Sequence, residues 1–339
     1  MRTVSNPPNP FESTYRELLE PAPAATVEIF RDASREILSR NDSPDLPFRW
    51  SVNPYRGCFH GCAYCYARPS HEYWGFGAGT DFESKLVVKE DAATLLRQAF
   101  ERPSWKGELI VFSGNTDCYQ PLEASYGLTR ACLEVCADYR NPVGIITKGA
   151  LVLRDLDVLA RLHQKAWTSV YFSIPFADEE VARKMEPHAP SISKRFETMK
   201  ALSDAGIQTG ISIAPVIPGL NDEAIPELLE RAWAAGARMA TFSLLRLSGS
   251  VESVFLDRIK EIYPDRFSKI INRLREVRGG QLSEAAFFDR HHGSGIYWQM
   301  IQQLFEVARR RAGFESDREG AIPDTFRRPG GAQTTLFDQ

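Results

Sequence analysis

The sequence predicts a parallel α/β fold, and three observations carry the expectation. Six short apolar runs recur between residues 49 and 245, and a segment with helical spacing separates each run from the next. The runs are continuous rather than alternating, as in strands whose sheet is covered on both faces. Most of the runs end in a polar or glycine-containing loop, and parallel α/β sheets and barrels build their sites at the carboxyl ends of their strands.

Taken in order, residues 1–47 are rich in Pro, Asn, Asp and Arg and read as an extension, with weak helical periodicity from Thr26 to Leu38. Asn41-Asp42-Ser43-Pro44 closes it with a turn signal. Strands are predicted over Arg49–Asn53, Glu108–Ser113, Val143–Thr147, Thr168–Ile174, Gln208–Val216 and Met239–Leu245. Helices are predicted over Asp91–Glu101, Tyr126–Tyr139, Leu156–His163, Ser193–Ala205 and Ile225–Ala235, from apolar residues recurring every three or four positions. The core thus spans 48–250. Residues 251–313 form a helical extension, with helices within Val251–Gly279 and over Ile296–Ala312. The Gly-, Pro- and Arg-rich stretch 314–339 is expected to be a mobile tail.

Composition narrows the class. Apolar residues make up 43% of 339, enough to bury a large core, and the formal net charge of −3 gives no global argument for a nucleic-acid or membrane partner. No apolar run approaches a membrane span. Met1 to Pro10 shows no secretory pattern, so a cytoplasmic, reducing compartment is expected. There, six cysteines serve ligation or catalysis sooner than disulfides.

Three of those cysteines organise the chain. Cys58, Cys62 and Cys65 are spaced C-x3-C-x2-C directly after the first strand, beside Gly57 and Gly61. Thiolates are soft ligands suited to iron–sulfur clusters, zinc or Cu(I). Three of them can hold three corners of a [4Fe–4S] cube and leave one iron open. A zinc site completed by His60 or His71 is the plainer alternative, but no second ligand pair at zinc spacing follows.

The cysteine spacing, with Tyr64 before the third cysteine and at the head of six βα units, resembles the radical S-adenosylmethionine (SAM) superfamily. Asn53-Pro54-Tyr55-Arg56-Gly57-Cys58, Tyr64-Cys65-Tyr66-Ala67-Arg68, Thr116-Asp117 and Tyr119-Gln120-Pro121-Leu122-Glu123 are similar to its spore-photoproduct-lyase-like branch. The resemblance implies an open (β/α)6 partial TIM barrel with N- and C-terminal helical extensions. It implies that Cys58, Cys62 and Cys65 hold a [4Fe–4S] cluster whose open iron chelates SAM. Reductive cleavage of SAM would then give a 5′-deoxyadenosyl radical that takes hydrogen from substrate.

The same resemblance implies residue roles. Tyr64 would lie near the adenine, and Ser113, Gly114 and Asn115 near the methionine amino group, with Asn115 where the superfamily has an acid. Lys148, and secondarily Arg195, would meet the SAM carboxylate. Ser173 fits the ribose contact; Ala214 and Pro215 fit the adenine wall. Cys118 is a candidate hydrogen-atom donor or an ordinary buried cysteine. Cys132 and Cys136 share one helix face. His71 to Trp74 either line the substrate mouth or form a glycine-flanked loop over the cluster. His291-His292 and the basic runs Arg309–Arg311 and Arg327-Arg328 are candidate phosphate contacts, or structural and solvated residues.

For partners, the resemblance implies a reductase or a flavodoxin- or ferredoxin-type electron donor, and damaged DNA bearing a pyrimidine lesion as substrate. Modification of a peptide, RNA or small molecule, or a non-enzymatic metal-binding role, stays open. Gln333, Leu336 and Phe337 resemble the short peptide by which bacterial DNA-repair proteins dock on the sliding clamp.

Overall fold

The computed structural model describes residues 6–7, 9–11, 26–315 and 322–329. The chain first lays down β1 (Glu28–Arg31) and β2 (Leu38–Arg40). The helical periodicity expected over Thr26–Leu38 is therefore overturned. Asp32 accepts from the backbone N–H of Ser34 at 2.8 Å, and that local turn competes with helix. Both strands find their partners far away in sequence, which outweighs a weak local propensity.

The six runs form β3 (Trp50–Val52), β6 (Ile110–Phe112), β7 (Val143–Thr147), β8 (Thr168–Ser173), β9 (Gln208–Val216) and β10 (Met239–Leu244). Two short strands, β4 (Tyr55–Arg56) and β5 (Lys85–Val88), lie between the first two of them. The main sheet runs β10-β9-β8-β7-β6-β3-β2, parallel throughout except for β2, which pairs antiparallel to β3. A second, three-stranded sheet runs β1-β5-β4. The fold is an open, partial TIM barrel, as expected from the strand–helix alternation.

Helices cover the sheet. They are α1 (Thr80–Ser84), α2 (Ala92–Glu101), α3 (Glu123–Tyr126), α4 (Leu128–Tyr139), α5 (Leu156–His163), α6 (Glu179–Met185), α7 (Ile192–Asp204) and α8 (Ile225–Ala234). Three more, α9 (Val251–Ile262), α10 (Phe267–Val277) and α11 (Gly295–Ala312), form the C-terminal extension. The chain supplies their start signals. The Asp178 carboxylate accepts from the N–H groups of Glu180 and Val181 to cap α6, and Ser191 Oγ caps α7. The apolar stripe of α4, including Cys132 and Cys136, is fully buried, so those thiols pack in the core. No described helix is long and apolar enough to cross a membrane.

The tail departs from expectation. Residues 322–329 pack on the body instead of trailing. Phe326 is buried against the rings of Phe100 and Tyr139, with centroids 5.7 and 6.1 Å away. A Cβ on Gly107, whose φ is +76°, would come within 2.2 Å of Phe326 Cβ, so glycine is required there. Arg328 donates to the carbonyls of Phe100 and Arg102 at 3.0 and 2.8 Å, so it is committed to the fold rather than offered to phosphate. Arg309, too, is turned inward and paired with Glu306. Gln333, Leu336 and Phe337 lie outside the described residues. Because removing a buried Phe side chain costs about 3–5 kcal/mol, Phe326→Ala should lower the unfolding free energy by about that amount in chemical denaturation.

Candidate active site

The cysteine loop follows β3 and has almost no regular structure, so side chains must satisfy its backbone. Most of them come from the loop after β6. Asn53 Oδ1 accepts from the N–H of Asn115 at 2.9 Å, and Thr116 Oγ1 donates to the Tyr55 carbonyl at 2.7 Å. Gln120 accepts from the N–H of Phe59 and donates to the carbonyl of Gly57, both at 3.0 Å. Tyr55 donates to Glu123 at 2.5 Å. Asp117 holds His60 Nδ1 at 3.4 Å and accepts from Thr147 Oγ1 and the N–H of Lys148, at 2.6 and 2.7 Å. The motif residues that resemble the branch are thus a clamp on the cysteine loop.

The underside of the loop rests on Arg68. Its guanidinium donates to the carbonyls of Cys62, Ala78 and Gly79 and to Glu83, which also receives Arg258 at 2.9 Å. All three side chains are buried. Gly57 and Gly61 sit at φ of +72° and +66°. A Cβ on Gly57 would meet the Phe82 carbonyl at 2.9 Å, so the tight loop needs glycine there for both reasons.

A second buried carboxylate, Glu186, stands at the end of α6. It pairs with Arg195 at 2.5 Å, accepts from the hydroxyl of Tyr64, and lies 3.9 Å from Lys148 Nζ. Lys148 Nζ donates to Ser173 Oγ at 3.0 Å and sits 5.6 Å from the centre of the Tyr64 ring. Ser173 Oγ in turn reaches the Ala214 carbonyl at 3.3 Å, beside Pro215. The structure therefore brings Tyr64, Lys148, Ser173, Ala214 and Pro215 together at the carboxyl ends of β7, β8 and β9. Arg195 belongs to this group but is fully engaged, donating also to the carbonyls of Pro190 and Ser173. That leaves Lys148 as the cation with capacity for an arriving carboxylate.

Glu83 and Glu186 each face two cations, which sets positive charge beside Cys65 and Cys62, while Asp117 sets negative charge beside Cys58. Burial pushes the Cys62 thiol up to about 12 against the pull of Lys148 and Arg195. Burial also raises Cys65 against the pull of Arg68, and Cys58 rises with burial and the Asp117 charge. Lys148 is desolvated too, yet Cys62 and Glu186 hold it above the usual lysine range, so it stays an ammonium. The donor set fits the implied cluster: three mutually interacting soft thiols on a clamped loop, with cations beside Cys62 and Cys65, ready to be deprotonated by iron. Among the described residues no three His, Cys, Asp or Glu side chains converge as the ligands of one ion do. The corners of a cube stand further apart, so the arrangement is compatible with a cluster.

Other expected residues are placed differently. Ser113 takes a left-handed φ of +67° and its Oγ accepts from the N–H of Cys118 at 2.9 Å. Gly114 is required because a Cβ would lie 2.7 Å from Ser51 Cβ, and Asn115 Nδ2 donates to Ser70 Oγ at 3.1 Å. All three keep partial exposure. Cys118 has none: it is packed in the main core. His71 to Trp74 are not a glycine-flanked loop but a 3-10 turn over Arg68–Trp74. His71 and Glu72 are buried in it, His71 bound to the Lys85 carbonyl at 2.8 Å and pulled down to about 4 by burial. Only Tyr73 and Trp74 face out.

Comparison with known proteins gives the family and the fold. The family model of the radical SAM superfamily matches residues 52–232. The chain belongs to the radical SAM superfamily. This radical SAM enzyme is 35% identical over 296 residues to an uncharacterized protein of Mycobacterium tuberculosis (strain ATCC 25618 / H37Rv), across 86% of this chain and 83% of that one. It is 29% identical over 247 residues to an uncharacterized protein of Methanocaldococcus jannaschii, across 73% and 88%. It is 26% identical over 257 residues to the radical SAM Nalpha-GlyT isomerase of Pseudomonas phage M6, across 75% and 51%. Among solved structures, a spore photoproduct lyase mutant with bound AdoMet and dinucleoside spore photoproduct superposes at a TM-score of 0.58. That match covers 84% of this chain and 77% of the other at 16% identity, so the two share a fold.

Sequence reasoning missed Glu186, Glu83 and Arg258. Each stands among other charges, Glu83 between Asp81 and Lys85, Glu186 after Lys184 and Arg258 after Asp257, and nothing local shows that it is buried. Breaking a buried pair by removing one partner costs about 3–5 kcal/mol. Glu83→Gln leaves Arg68 and Arg258 without their counter-charge, so it should destabilise the protein by about that much in denaturant titration.

Burial would raise the Glu186 carboxyl, but Arg195 and Lys148 hold it below its ordinary value of 4.5. A lowered carboxylate contributes stability above its unfolded value and loses it as pH falls through the folded one. The unfolding free energy should therefore fall as pH is lowered below about 4.5. Glu186→Gln should flatten that acid limb in denaturation series between about pH 3 and pH 7.

Proposed function

We propose that the chain binds a [4Fe–4S] cluster through Cys58, Cys62 and Cys65, cleaves SAM reductively, and acts on a lesion in damaged DNA. The observation that carries this reading is the cysteine loop, clamped at the mouth of a partial barrel beside the Lys148 ammonium that Ser173 and Glu186 orient. When bound, the cluster and SAM together supply the radical that starts the reaction on substrate.

The chain's own residues bind and orient. Lys148 is aimed by Ser173 Oγ, and Glu186 limits how far it can swing. A carboxylate arriving there gains a charge-assisted hydrogen bond from an ammonium already in place. The ends of β8 and β9 offer Ser173 to a ribose hydroxyl and Ala214 and Pro215 to the flat adenine face. Tyr64 is fixed through Glu186 beneath them. The burial of Cys58 and Cys62 keeps water from the thiolate side of the loop.

The DNA substrate draws support from the shared fold with spore photoproduct lyase, whose solved complex holds a dinucleoside photoproduct. The phage relative is named an isomerase, which favours rearrangement of the substrate as the second reading. The electron would come from a reductase or a flavodoxin- or ferredoxin-type donor. The sequence at Gln333, Leu336 and Phe337 would tether the enzyme to a sliding clamp.

The test is anaerobic reconstitution with iron and sulfide, then dithionite and SAM, with 5′-deoxyadenosine measured by mass spectrometry. Wild type should form it, and UV-irradiated DNA should raise the yield over unirradiated DNA. Cys62→Ala should bind less iron and form none. A wild type that fills with iron yet makes no 5′-deoxyadenosine would sink the enzymatic reading. An equal yield with both DNAs would remove the lesion reading alone.

A further inference from the structure

Arg246 lies just past the carboxyl end of β10, on the rim of the barrel mouth. The Leu245 N–H beside it still bonds to the Val216 carbonyl at the end of β9, at 3.0 Å. On one side it faces Tyr66, which follows Cys65 in the chain, is half-exposed, and donates its hydroxyl to the Gly114 carbonyl at 3.0 Å. The loop after β10 also touches the cysteine segment further on, where Ser250 Oγ donates to Glu72. On its other side are Arg278, Arg290 and His291, near enough for their charges to act on Arg246.

Three guanidinium groups share this corner with the carboxylates of Asp45, Glu284 and Asp289. Arg290 holds Asp45 at 2.5 and 2.6 Å, and the charges of Glu284 and Asp289 act on Arg278. Arg278 is spent on the carbonyls of Leu245, Asp289, Arg290 and His292. Arg246 alone of the three has no hydrogen bond or ion pair among the described residues, and its Nε is buried without a partner. Burial and the Arg290 charge depress its pKa, against partial compensation from Tyr66 and Asp45. The side chain as a whole is half-buried, so a guanidinium without a protein partner is open to an anion arriving from outside.

That anion is not the carboxylate of SAM on the reading above. Lys148 and Ser173 stand at the ends of β7 and β8, and β10 is two strands beyond β8, roughly 10 Å away at ordinary strand spacing. Arg246 serves a group further out, on the side where substrate must enter. A guanidinium fork suits a phosphate, whose oxygens it meets bidentately. We propose that Arg246 is the substrate-phosphate receptor of this enzyme, seating one phosphodiester of the nucleic-acid strand beside Tyr66 at the barrel mouth. This assignment rests on the nucleic-acid reading of the function.

The test uses the reconstituted full-length protein and a UV-irradiated single-stranded thymidine oligonucleotide, with binding followed by fluorescence anisotropy over a salt series. Arg246→Gln should weaken binding about tenfold and lower the log–log salt slope by about 0.7, the loss of one phosphate contact on a single strand. Arg246→Lys should keep most of the slope, because the charge remains. Independently of any variant, wild type is titrated with oligonucleotides carrying one neutral methylphosphonate linkage at successive positions. One position should reproduce the loss, and at that position Arg246→Gln should add nothing further. If wild type binds but no single neutral linkage weakens it, or Arg246→Gln keeps the full affinity and slope, the assignment is overturned while the DNA reading stands. If wild type does not bind the oligonucleotide at all, the DNA reading falls and takes the assignment with it.

Discussion

The structure depends on how a loop without secondary structure keeps its backbone polar groups satisfied. Residues 53–65 carry the three thiols, and few of their N–H and carbonyl groups have strand or helix partners. The solution is a set of side chains from one other loop, Thr116, Asp117, Gln120 and Glu123, with Arg68 and Glu83 underneath. Each of these bonds is formed in a buried or half-buried setting, where an unmade bond is expensive. The loop is therefore held from two sides before any iron arrives, and the thiols stay within electrostatic reach of one another.

Electrostatics does the second part of the positioning. Glu83 and Glu186 are buried carboxylates beside the cysteine loop that each face two cations. Neither arrangement is neutral by itself. The surplus positive charge falls on Cys65 from Arg68 and on Cys62 from Lys148 and Arg195. Three thiolates bring negative charge to the same small volume, so the two imbalances offset each other once the loop is metallated. Arg246 differs from these pairs: its Nε is buried with no hydrogen-bond partner among the described residues.

Legibility from the sequence followed the range of the interactions. All six parallel strands appear within a residue or two of their expected bounds, and Val143–Thr147 and Gln208–Val216 match at both ends. Their signal is local, since a buried strand shows as a run of Val, Ile and Phe. The cysteine motif was legible for the same reason, being eight residues long. Thr26–Leu38 failed because its strands are made by partners elsewhere: Ile29 pairs with Leu86 and Leu38 with Val52. Residues 322–329 departed likewise, since Phe326 finds its pocket between Phe100 and Tyr139, which no local pattern announces.

By itself the sequence determined the strand–helix alternation, the order of the elements and the three-thiol loop, because periodicity, turn residues and ligand spacing act over a few residues. Only the tertiary structure decided which charges meet. Tyr64 and Glu186 are 122 positions apart, and Glu83 and Arg258 are 175 apart. The fold brings Lys148 and Ser173 within a hydrogen bond, closes Cys118 into the core, and leaves Arg246 unpaired at the mouth. Burial and pairing are properties of the packed chain, and a charged residue read in sequence carries no sign of either.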